Sequence, residues 1–155
     1  MDKQKIASIY SISELFTDTL KSGGRVKLPV KGVSMYPLIR PARDYALIEK
    51  SDSYRKYDII FYQRQDGSYI LHRIVGEDKT GFILAGDSET EKESGVSSEQ
   101  ILAKATYIIR RGKEINVNSF LYKVYSRLWV AMMPLRPFII GLWLRFCKLR
   151  NKLIK

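Results

Sequence analysis

Tyr69-Ile70-Leu71-His72-Arg73-Ile74-Val75 is a run of mostly β-branched and large apolar residues, preceded by the turn pair Asp66-Gly67. Such a run bounded by a tight turn reads as a strand of a hairpin. Working outward, Asp58-Ile59-Ile60-Phe61-Tyr62 supplies the strand before the turn, and Phe82-Ile83-Leu84-Ala85 supplies one after it. Val26, Leu28 and Val30 alternate in the same way, Tyr45-Ala46-Leu47-Ile48 follows, and the series closes with Ile101 to Ile109. No helical period separates these segments. Frequent short strands without intervening helices predict a mainly β fold, an antiparallel coiled sheet or partly open barrel. The acidic stretch Glu89-Thr90-Glu91-Lys92-Glu93-Ser94-Gly95 reads as an exposed loop.

The two ends follow a different period. Ile6, Ile9, Ile12, Phe16 and Leu20 fall three or four apart, which predicts an amphipathic helix ending at Gly23-Gly24. Ser11, Ser13, Glu14, Thr17 and Asp18 interrupt any apolar core there, so neither a signal-peptide layout nor a one-pass N-terminal anchor is expected. The organisation expected is an N-terminal helix over 1–24, a β-domain over 25–118 and a C-terminal segment over 119–155. At 155 residues the chain is long enough for one real core without metal or disulfide staples. The single cysteine, Cys147, can form no intramolecular disulfide, and with one histidine it indicates no zinc site.

The net charge of +11 is concentrated at one end. From Arg110 onward there are eleven Lys and Arg against one acid, Glu114, whereas the residues before it hold sixteen bases and fifteen acids. A nearly neutral body with a basic tail implies two jobs. Leu128 to Phe146 is rich in Trp, Met, Phe, Leu and Ile and, as one helix, would nearly cross a bilayer core of about 30 Å. Pro134, Arg136 and Pro137 interrupt it, and bases flank both sides, which gives a single span no orientation. The expectation is therefore a segment lying in the membrane interface, held to anionic lipid by basic flanks and by Trp129 and Trp143. A true span and a soluble helical hairpin are the alternatives.

Ser34, in Gly32-Val33-Ser34-Met35-Tyr36-Pro37-Leu38, and the lone His72 are the minimal parts of a nucleophilic serine hydrolase. Each has an ordinary reading too, as a turn serine and a hydrogen-bonded core histidine. Together with Asp44-Tyr45-Ala46-Leu47-Ile48, Tyr57-Asp58-Ile59-Ile60-Phe61-Tyr62, Leu71-His72-Arg73-Ile74-Val75-Gly76 and Gly86-Asp87, however, the chain resembles the type I signal peptidase family and the related self-cleaving repressor peptidases. The resemblance covers roughly residues 26 to 110, with the motifs in the family's order.

That resemblance implies a signal peptidase-type β fold and a serine endopeptidase that needs no cofactor or metal. It implies Ser34 as nucleophile, attacked bonds passing through an acyl-Ser34 intermediate, and His72 as general base where bacterial-type members carry lysine. An imidazole can accept a proton near neutral pH without the burial a lysine requires. Asp87 matches the Gly-Asp box and is the expected orienting acid, with Glu93 or Glu91 as alternatives. The Ser34 N–H is the expected oxyanion donor, Gly32 stands where many members have a second donor, and Gly32, Met35 and Pro37 are expected at the substrate cleft. The implied substrate is a leader or signal peptide with small side chains before the cut, bound as an extended strand. Membrane lipid is the expected partner of residues 120–155, with the domain on the cytosolic face as one arrangement. The competing reading is a regulatory, repressor-like module with a nucleic-acid-binding basic tail. The tail's Trp, Met and Leu density speaks against it, so no nucleic acid is expected.

Overall fold

A computed structural model describes residues 16, 18–20, 22–142 and 145. Most of the expected N-terminal helix, Trp143, Cys147 and the end of the basic tail lie outside the described residues. Phe16 and residues 18–20 are helical, and Leu20 is buried in the main core with Phe16 packed against it.

The chain forms one antiparallel sheet of eight strands: β1 (Arg25–Pro29), β2 (Tyr45–Glu49), β3 (Ile59–Gln63), β4 (Tyr69–Asp78), β5 (Gly81–Ala85), β6 (Glu93–Val96), β7 (Ile101–Arg110) and β8 (Lys113–Asn116). The spatial order is β1-β2-β7-β3-β4-β5-β6, with β8 also on β7. β1 and β6 end that order, so the sheet coils without closing. Register shifts at Leu47/Ile48, Phe61/Tyr62 and Ile74/Gly76 supply the bends, as bulges do.

The two ten-residue strands change partners along their length. β4 pairs with β3 over Tyr69–Arg73 and with β5 from Arg73 onward. His72 therefore sits where β5 gives out, opposite Ile60 on one side and beside the chain leaving Ala85 on the other. The expected loop at 89–95 is corrected in part: Glu93–Val96 is β6, pinned to β5 at Phe82 and Leu84.

Ser119 caps α1 (Phe120–Ala131), its side chain accepting from the Tyr122 N–H. A 3-10 turn at Met133–Leu135 carries Pro134, and residues 136–142 are helical again. Among the described residues no helix is long and apolar enough to cross a membrane. Residue 118 does not end the packed body. Tyr122 belongs to the main core, Met133 packs with Val75 and Ala85, and Trp129 and Arg136 are buried. The arginine read as an obstacle inside an apolar stretch is turned into the protein instead.

Candidate active site

Ser34 lies in the turn between β1 and β2, half-buried, two residues after Gly32. Gly32 holds φ +77° with nothing within 4 Å of where a Cβ would stand, so conformation and not space favours glycine there. The next side chain, Met35, is fully buried in the main core and pegs the turn down. The expectation that Met35 faces a cleft is thus replaced by an anchoring position, because the turn buries Met35 together with Leu38 and Ile39, three and four residues on. Gly32 is exposed, and Pro37 lines an apolar cavity of about 300 Å³ with Tyr36, Tyr125, Trp129 and Ile139. The Ser34 N–H makes no hydrogen bond among the described residues, whereas its carbonyl accepts from the Ser88 N–H at 2.8 Å and the Ser88 hydroxyl at 3.1 Å. That second contact ties the Ser34 turn to the loop after β5.

His72 is 5% exposed. Its Nε2 lies 3.5 Å from the Glu89 Oε2, its Nδ1 is buried with no hydrogen-bond partner, and the Tyr62 ring stands 6.3 Å away. Burial pushes the imidazole below its ordinary range, against a smaller upward pull from the Glu89 carboxylate. That shift favours the neutral ring, which is the form that can accept a proton.

Asp87 does not serve His72. Its two oxygens take a fork from Arg73, Nε to Oδ1 at 2.8 Å and Nη2 to Oδ2 at 2.7 Å, and both side chains are fully buried. Arg73 Nη1 donates further to the Tyr57 carbonyl and the Tyr122 hydroxyl. The reason is register. Arg73 pairs with Ala85, and side chains alternate faces, so two residues past Ala85 the chain again presents to the Arg73 face of β4 and not to the His72 face.

Glu93 is committed as well, accepting from the Tyr62 hydroxyl at 2.7 Å and from Arg64 at 2.6 Å. Burial alone would raise the Glu93 carboxyl, but Arg64 and Tyr62 outweigh it and hold it below the usual range. Glu91 is exposed and makes no contact with His72 among the described residues.

The carboxylate at His72 is Glu89, which the sequence reading did not single out. Its Oε2 also accepts from the Gly86 N–H at 3.2 Å. A Cβ at Gly86 would stand 2.7 Å from that oxygen and 2.8 Å from the Ser34 carbonyl oxygen, so only glycine lets the turn, the loop and the carboxylate close together. No sequence signal identifies Glu89: β5 ends at Ala85, and the turn that follows, not strand alternation, carries its carboxylate to His72.

Glu89 thus meets both the Gly86 N–H and the His72 ring, and the Ser34 carbonyl lies beside Gly86, whereas Asp87 and Glu93 are engaged by Arg73 and by Arg64 with Tyr62 and act on the imidazole only through charge. No protein-family model matches this chain, and no curated protein matches it.

Proposed function

We propose that this chain is a serine endopeptidase of the signal peptidase type, with Ser34 as nucleophile and His72 as general base. The observation that carries the reading is the convergence at Gly86: Ser88 bonds the Ser34 carbonyl while Glu89 faces the His72 ring. His72 takes the hydroxyl proton as Ser34 Oγ attacks the peptide carbonyl, and the Ser34 N–H donates to the oxyanion. The imidazolium then protonates the leaving amine. Water, deprotonated by the same ring, hydrolyses the acyl-Ser34 ester and restores the enzyme. Glu89 stabilises the transient imidazolium, and Asp87 braces the loop through Arg73.

The substrate is a leader peptide with small residues before the cut, extended along a free sheet edge. β1 ends the sheet and runs directly toward the Ser34 turn, which makes its outer edge the suitable template. Phe120, Leu121, Val124 and Leu128 are exposed on one side of α1, with Lys123 and Arg127 beside them, and Leu135, Phe138 and Leu142 continue the apolar surface. This arrangement suits a helix lying in an anionic lipid interface with the sheet standing above it. An apolar outward face is the wrong chemistry for phosphate contacts, which sets the nucleic-acid reading behind. The cytosolic face of the membrane is one arrangement, and resistance of the domain to external protease in sealed cells decides between the two faces.

Digestion of a leader peptide in lipid vesicles by the wild type, Ser34→Ala and His72→Ala tests the chemistry. Cleavage is expected to fall by at least about 10³-fold in each variant. Unchanged cleavage in either removes the assignment.

A further inference from the structure

Arg136 is fully buried, yet none of its partners is a carboxylate. Its Nη1 donates to the Gly86 carbonyl at 2.8 Å and the Glu89 carbonyl at 3.1 Å, while Nε and Nη2 both donate to the Trp129 carbonyl. Trp129 in turn donates its indole N–H to the Asp87 carbonyl at 3.0 Å. Two side chains from the C-terminal helical unit therefore hold three carbonyls of the loop 86–89. A buried cation with no carboxylate in hydrogen-bond contact, held by carbonyls and the face of the Trp129 ring 5.5 Å away, is costly, and an apolar side chain would fill the space more cheaply. The loop's other contacts show what the expense secures. Ser88 bonds the carbonyls of Val33 and Ser34, and the Glu89 carboxylate faces His72.

We propose that Arg136 is a positioning residue of the peptidase site, clamping the Gly86–Glu89 loop so that Ser88 fixes the nucleophile turn and Glu89 meets His72. The proposal rests on the reading of Ser34 and His72 as nucleophile and base. It makes the C-terminal helical unit a working part of the site as well as its membrane-facing side. Arginine is needed because one planar fork reaches carbonyls on two chain segments at once, which the single ammonium of lysine does not.

The test uses the full chain in lipid vesicles. Arg136→Lys is expected to lower kcat by about 10- to 100-fold, the scale of a small misplacement of catalytic groups, with KM within twofold. Arg136→Ala is expected to regain activity severalfold on addition of methylguanidinium, which refills the vacated fork. Arg136→Lys within threefold of wild-type kcat overturns the clamp, as does an Arg136→Ala protein that retains its fold and gains nothing from methylguanidinium. Amide exchange separates the two claims. Arg136→Lys should speed exchange at Ser88 and Glu89 at least tenfold while β4 keeps its protection, and unchanged exchange there overturns the clamp whatever the wild type cleaves. A loop that responds in a protein that cleaves no peptide overturns the peptidase reading and the positioning role together.

Discussion

His72 and Arg73 are neighbours on β4, and the two faces they occupy are built in opposite ways. The Arg73 face is closed: a guanidinium whose three nitrogens all donate, a fully buried aspartate, and a tyrosine hydroxyl from α1. The His72 face is unfinished, with one ring nitrogen unpartnered and the other 3.5 Å from a carboxylate whose side chain is 42% exposed. A saturated ion pair can fix a loop but has no lone pair or vacancy left for a substrate. An under-satisfied imidazole beside a half-exposed acid costs stability and leaves room for a proton to move. On the proposed reading, one strand carries the brace and the chemistry on opposite sides.

The largest effect should come from breaking the closed face. Asp87→Asn leaves Arg73 buried without its counter-charge and should destabilise the fold by about 3–5 kcal/mol in denaturant titration. A variant that keeps wild-type stability but loses cleavage would instead return Asp87 to the catalytic role. Gly86→Ala tests the seam between the faces. Its methyl group meets the Ser34 carbonyl and Glu89 at under 3 Å, so a loss of about 1–3 kcal/mol together with loss of cleavage is expected. Full activity in that variant would separate the loop from the site.

On the open face, Glu89→Gln should leave the midpoint of unfolding in place. The pair is charged only when the ring is protonated, and a carboxylate this exposed stabilises that transient imidazolium by about 1 kcal/mol, or roughly fivefold in rate. Because Glu89 pulls the His72 ring upward, its loss should move the acid limb of kcat/KM to lower pH. A shift to higher pH would contradict the arrangement. The smallest effect is on stability alone. The folded imidazole is depressed relative to the unfolded chain, whose ring titrates near about 6.5, so protonation below that pH favours unfolding. Stability should be fully present above that pH and decline as pH falls through it, and His72→Gln should flatten that part of the curve.

How much of this was legible follows the same division. β4, β3, β5 and β7 announced themselves because alternation and apolar content coincide in them. β6 and β8, Glu93–Val96 and Lys113–Asn116, are polar edge segments whose pairing is set by the strands beside them. The Ser34 turn and His72 were readable as residue types in order, whereas the acid was not. Choosing between Asp87 and Glu89 depends on which face of β4 each meets, and that is fixed by the turn the chain makes after β5 ends at Ala85. α1 was ambiguous for a related reason. It is apolar on two sides, and only packing shows that Tyr122 and Trp129 face the sheet while Leu121 and Leu128 face outward. Arg136 looked like a misfit in an apolar run because its partners lie about fifty residues away in the chain.

The most direct measurement is the rate and position of labelling by a fluorophosphonate, which reports an activated serine without requiring the natural substrate. The label should appear on Ser34, vanish in Ser34→Ala and slow by at least about 10²-fold in His72→Ala, the scale of a lost general base. Label on another serine, or a Ser34 rate indifferent to His72, would contradict the nucleophile and base at once.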